Sequence, residues 1–122
     1  MTVEEFYGQV GSYAEATGRL GSAERILHYL GKFRRDGNYD GLCRAMADGD
    51  AKTAFLCVHN LKGMYLNLAL TQVGEKASTL CEALRGGSIP PEAPEMLAEL
   101  QQAYAQVMTG LDALLGEQEV AP

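Results

Sequence analysis

A chain of 122 residues is one domain's worth of polymer, and 47% hydrophobic residues are enough to fill the core such a length buries, so no disulfide staple is required. Ten basic against 16 acidic residues leave a net charge of -6, which excludes the basic footprint of a nucleic-acid binder. Cys43, Cys57 and Cys81 are odd in number, widely spaced and set in apolar helical patterns, and are expected as buried thiols in a reducing cytosol.

The amino terminus Met1-Thr2-Val3-Glu4-Glu5 has neither the positive nor the apolar segment of a secretory signal. No window approaches the roughly 18 apolar residues that cross a bilayer, so a cytoplasmic protein without membrane contact is expected. Thr2 and Glu5 have capping-box spacing, and Phe6, Val10, Tyr13 and Thr17 continue a helical period that predicts a first helix up to Gly18. Gly21-Ser22 restarts the chain into a second helix striped by Ile26, Leu27, Leu30 and Phe33, which stops at Asp36-Gly37. Asn38 is the expected cap of a short third helix through Tyr39, Leu42, Cys43 and Met46, closed at Asp48-Gly49.

Asp50 is the expected cap of the most strongly patterned segment, from Ala51 to about Ala69. Another helix follows from Thr71 to about Arg85 with Val73, Ala77, Leu80 and Leu84 as its stripe, ended by Gly86-Gly87. Ser88-Ile89-Pro90-Pro91 reads as a stiff connector, with Pro91 in the first turn of a last helix through Leu97, Leu100, Tyr104, Val107 and Leu111 that frays after Leu115. No segment alternates apolar and polar residues as a strand would. The compact solution is an all-α, antiparallel up-and-down four-helix bundle with the amino-terminal helix packed alongside, residues 1–122 forming a single domain.

In the segment after Asp50, steps of about 100° per residue from Leu61 bring Ala54, Cys57, Val58, Met64, Tyr65 and Leu68 onto one buried face. The same steps turn His59 to the opposite, outward side with Lys52, Leu56, Gly63 and Leu66. Lys62 and Gly63 stand three and four residues beyond His59, the separations at which helical side chains become neighbours. A mid-helix glycine costs about 1 kcal/mol relative to alanine, and here it opens an approach to the imidazole. Leu56, Leu66 and Phe55 add apolar surface where a solvated face is ordinarily polar, which suits docking. An imidazole is a competent nucleophile toward phosphorus near neutral pH, and an ammonium three residues on can offset phosphoryl charge.

His59-Asn60-Leu61-Lys62-Gly63 followed by Asn67-Leu68 resembles the signature of the histidine-containing phosphotransfer (HPt) domain family. The resemblance takes in Phe33, Tyr39, Leu42, Ala45 and Gly49-Asp50 upstream and Ala77, Leu80, Leu84 and Arg85 downstream, covering roughly residues 20–87. It implies a helical bundle whose exposed His59 accepts a phosphoryl group from an aspartyl phosphate of one receiver domain and donates it to another. Lys62 is then the charge-stabilising residue, Gly63 the point of partner access, and Lys52, Phe55, Leu56, Leu66 and Asn67 the receiver-docking surface. The implied partners are response-regulator receiver domains, a sensor histidine kinase, or both, with the chain itself a monomer. The family's helix commonly continues Asn-Leu-Gly where this chain has Ala69. Many members also place a glutamine on the following helix to hold the histidine ring; this chain offers Cys81 and Glu82, so the ring is expected to be held differently.

The chain has no Gly-x-x-x-x-Gly-Lys-Ser/Thr loop, glycine-rich nucleotide loop or magnesium-holding acidic cluster, so no ATP-using enzyme and no resident cofactor are expected. The resemblance puts magnesium on the receiver. Sensor-kinase dimerisation domains follow their histidine with an acidic residue and a proline, whereas Asn60 follows here. The competing class is a non-catalytic interaction module using Leu56 and Leu66 as adhesive surface. A metal site is disfavoured because His28 lies on another helix and no Cys-x-x-Cys or His-Glu-x-x-His spacing exists. Around His28, the basic cluster Arg25, Lys32, Arg34 and Arg35 reads as a solvated face, or else as a second contact surface. Tyr7, Tyr13, Tyr29 and Tyr104 are expected at core or half-buried helix positions.

Overall fold

A computed structural model describes residues 1–118, which form seven α-helices: α1 (Val3–Val10), α2 (Tyr13–Leu20), α3 (Ala23–Arg34), α4 (Asn38–Asp48), α5 (Ala51–Asn67), α6 (Thr71–Leu84) and α7 (Ala93–Gln118). No strand occurs among the described residues, and the protein is an all-α bundle. Helices adjacent in sequence pack together, α4 on α5, α5 on α6 and α6 on α7, while α3 and α1 both meet α7. Phe33 and the stacked pair Tyr39 and Tyr104, 3.5 Å between ring centres, tie α3 and α4 to α7. A single apolar core joins all seven helices, with Phe6, Ile26, Leu42, Leu61, Leu80 and Leu111 among its fully buried members.

Most caps are where short polar side chains precede a helical period. Thr2 and Glu5 form the capping box, Ser22 accepts from Arg25 N–H at 3.2 Å, and Asp50 accepts from Thr53 N–H at 3.1 Å. Asn38 does not cap α4 but is its first residue: Gly37 stands at the cap position, and the Asp36 carboxylate just before it accepts the Asn38 N–H at 2.7 Å.

The expected first helix is two helices. The chain breaks at Gly11, where a Cβ would collide with the Ala69 carbonyl oxygen, and Ser12 N–H donates to that same oxygen at 3.1 Å. Ser12 then caps α2 by accepting from Glu15 N–H, and α2 runs through Gly18 to end at Gly21, whose φ is +96°. Gly110 allows α1 to press its Phe6 onto α7, since a Cβ there would come within 2.9 Å of the ring. The buried Tyr7 hydroxyl donates to the Leu68 carbonyl at 2.7 Å, so α1 braces the corner that follows α5.

Three other boundaries shift. α5 ends at Asn67, two residues early, because Leu68 and Ala69 form a tight corner in which Ala69 has φ +56°. Pro91 lies before α7, and Pro94 occupies the first turn. α7 continues past Leu115 to Gln118, as Leu114 and Leu115 are buried; the tail at 119–122 lies outside the described residues. Of the thiols only Cys81 is buried. Cys43 and Cys57 are half-buried, lying where α4 meets α7 and α5, and burial pushes the Cys57 thiol up.

Candidate functional site

The site is built on α5, whose inward face carries Ala54, Val58, Leu61 and Tyr65, all buried, with Leu68 just beyond its end. Cys57 and Met64, expected in the same arc, are only half-buried because they sit at its edges, toward α4 and α3. His59 is exposed on the far side, as its angular position requires. Asn60 is tied to α4 by donating to the Asn38 side-chain oxygen at 3.2 Å.

Around His59 the helix is open on one flank and furnished on the other. A Cβ built on Gly63 meets nothing within 4 Å, so the space one turn beyond the imidazole is free. Lys52, Leu56, Leu66 and Asn67 are exposed as expected, Leu56 at 53% and Leu66 at 43% being the exposed large hydrophobics among the described residues. Lys62 is half-buried, on the side that faces α6.

Phe55 has a different place from an adhesive surface residue. Its half-buried ring stacks on the imidazole, 5.9 Å between centroids and 22° between planes. The guanidinium of Arg85, the residue that caps the end of α6, lies 5.5 Å from the Phe55 ring centre and is held there by Glu82, through hydrogen bonds of 2.8 and 3.1 Å. Hydrogen bonding and charge from Arg85 keep the Glu82 carboxyl below the usual carboxylate range, with a smaller push the same way from the Lys62 ammonium. Phe55, Arg85 and Glu82 therefore form one connected wall beside His59, with the Lys62 ammonium near enough to act on the Glu82 charge. Of the two residues in the stretch where many family members carry a ring-holding glutamine, Cys81 is buried and Glu82 is exposed. The sequence places Glu82 in the stretch where a ring-holding glutamine is usual and Arg85 within the family resemblance, but the part they play together, through their i, i+3 pairing beneath the Phe55 ring, comes from the structure.

No group of three or more histidine, cysteine, aspartate or glutamate side chains gathers as a metal site among the described residues. His28 is exposed with its ring edge on Tyr29, and Arg34 leaves the basic cluster to pair with Asp112 at 2.7 Å.

A family model described as the Hpt domain matches residues 14–110, from α2 through most of α7. The chain belongs to the Hpt domain family. The match reaches beyond residues 20–87 at both ends and leaves α1, the brace on Tyr7 and Phe6, outside it. Hpt domains serve phosphotransfer in phosphorelays as phosphocarriers, without an ATP site of their own. No curated protein and no solved structure matches the chain. No helix among the described residues is long and apolar enough to cross a membrane.

Proposed function

We propose that the chain is a single-domain, monomeric and cytoplasmic phosphoryl carrier, with His59 as the residue that is phosphorylated. The observation that carries this reading is the exposed imidazole set opposite the core of α5, with open space at Gly63 on one flank and the Lys62 ammonium on the other. A ring nitrogen of His59 attacks the phosphorus of an aspartyl phosphate on a receiver domain. The N–P bond forms as the acyl phosphate P–O bond breaks, and the aspartate leaves as a carboxylate with the bonding pair. The reverse step on a second receiver regenerates the imidazole. Lys62 offsets charge on the phosphoryl oxygens, and the apolar surfaces of Leu56 and Leu66 seat the partner. Magnesium belongs to the receiver, where it polarises the phosphoryl group.

The test is incubation of the purified chain with receiver domains charged by acetyl phosphate, followed by mass mapping under neutral or alkaline conditions. An acid-labile phosphoryl group at His59, dependent on the receiver and absent in His59→Gln, is the expected result. No adduct with any well-charged receiver, or an adduct on His59→Gln, overturns the assignment. The first of these outcomes leaves Leu56 and Leu66 as the surface of a non-catalytic interaction module.

A further inference from the structure

A cleft of about 430 Å³ opens where α2 and α3 meet the carboxyl-terminal end of α5. Leu20, Phe33 and Met64 give it an apolar wall, and the exposed cations Arg19 and Lys32 line it without an acidic residue. Arg19 reaches across to donate to the Leu66 carbonyl and is only loosely paired with Glu15, at 3.9 Å. Lys32 lies 5.9 Å from the Tyr29 ring centre. The setting is unusual for this chain: between positions 19 and 35 stand Arg19, Arg25, Lys32, Arg34 and Arg35 against the single acid Glu24, in a protein of net charge -6.

The cleft is connected to the candidate site by geometry. His59, Gly63 and Asn67 succeed one another at four-residue intervals, all exposed, and Asn67 lines the cleft. Eight helical residues span about 12 Å, so the cleft begins roughly that far from the imidazole, across ground that Gly63 leaves bare. A partner lying over His59 passes along this stripe and reaches the cleft.

We propose that the cleft is a second docking point for the receiver partner. It takes an acidic segment with an apolar or aromatic side chain at its tip, carried about 12 Å from the partner's reacting aspartate. The inference rests on the relay reading and adds the chemistry of the partner. The apolar side chain fills the space between Leu20, Phe33 and Met64, while its acidic neighbours meet Arg19 and Lys32.

The test measures transfer from a charged receiver to His59 as KM and kcat for the wild type, Lys32→Glu, and Arg19→Glu with Lys32→Glu. Arg44→Glu with Lys76→Glu is the charge-matched control away from the cleft. The expected result is a KM about tenfold higher in the double variant at roughly 0.1 M salt, less in Lys32→Glu, with kcat unchanged and the control within about threefold of wild type. Circular dichroism identifies any loss of fold from removing the Arg19 contact, and Lys32→Glu, which breaks only an exposed ring contact, then decides. A wild type that accepts phosphate while the cleft variants match the control overturns the docking point alone. A wild type that accepts none overturns the relay reading and the docking point together. Decanoate binding that is lost in the double variant, with KM unmoved, assigns the cleft to small amphipathic anions and also overturns the proposal.

Discussion

Gly63 offers a perturbation in which stability and function are expected to move in opposite directions. A Cβ at this position meets no atom within 4 Å, and the residue lies in the interior of α5. Gly63→Ala therefore recovers the cost of a mid-helix glycine, about 1 kcal/mol, and raises the melting temperature of a chain this long by about 4 °C. Gly63→Leu recovers nearly as much. Helical side chains lean toward the amino terminus, so a leucine at 63 projects over the turn that holds His59 and fills the space the partner's phosphoryl group must cross. Because a misplacement of about 1 Å costs on the order of 100-fold in a positioned reaction, Gly63→Leu should lower kcat/KM by at least that factor, and Gly63→Ala by less. Gly8→Ala is the control: Gly8 is exposed in α1 and equally open, so it should change melting with no effect on transfer. Thermal denaturation by circular dichroism and single-turnover transfer from a charged receiver read the two quantities. Wild-type transfer in Gly63→Leu would refute the access argument, and a lowered melting temperature in Gly63→Ala would refute the account of open space.

Further outcomes follow from the wall beside His59 and from the corner after α5. Phe55→Ala should lower kcat about 3–10-fold, the worth of one aromatic pair, with Phe55→Tyr restoring it; a change confined to KM would make Phe55 a docking residue instead. Lys62→Ala should slow transfer at saturating receiver without stopping it, and a complete loss would give Lys62 a larger part than charge compensation. Tyr7→Phe strands the Leu68 carbonyl and should cost about 1–2 kcal/mol in denaturant unfolding, whereas Tyr65→Phe should be neutral or stabilising, since its buried hydroxyl makes no hydrogen bond among the described residues. The Glu82 carboxyl is depressed in the folded chain, so its pairing with Arg85 stabilises above the ordinary carboxylate range and is lost as pH falls through the depressed value. Glu82→Gln should accordingly shrink the fall in melting temperature between pH 7 and about pH 3, and an unchanged fall would deny the pair any role.

What the sequence made legible is what depends on a local period. The inward face of α5, the outward His59, the caps at Thr2 and Asp50 and the restart at Ser22 follow from 3.6-residue spacing and from short polar side chains before an apolar run. The features that escaped are set by contacts between distant segments. Nothing near Gly11 demands a break; the demand comes from the Ala69 carbonyl, 58 positions away, although Ser12 and Glu15 have the spacing that signals a new cap. Asn38 is the local exception: it stands inside the first turn with Gly37 at the cap, its backbone N–H and side-chain amide both donating to the Asp36 carboxylate, a competition between short polar residues that composition cannot rank.

The left-handed Ala69 shows how the two kinds of information combine. Its φ of +56° costs an L-residue about 1–2 kcal/mol, and the family's usual glycine at this position has no such cost. The corner persists because its neighbours over-determine it: Tyr7 holds the Leu68 carbonyl, Ser12 holds the Ala69 carbonyl, and Leu70 N–H donates to the Tyr65 carbonyl at 2.9 Å. Two of those three bonds come from α1 and the turn that follows it, the part of the chain outside the family match. Ala69→Gly relieves the strain but removes a buried methyl worth about 0.8 kcal/mol, so it should leave stability unchanged or raise it by up to about 1 kcal/mol. In a Tyr7→Phe background, where the corner has lost a brace, the same substitution should gain more than in the wild type. A double-mutant cycle measures that difference, and strict additivity would show that α1 does not hold the corner in its strained form.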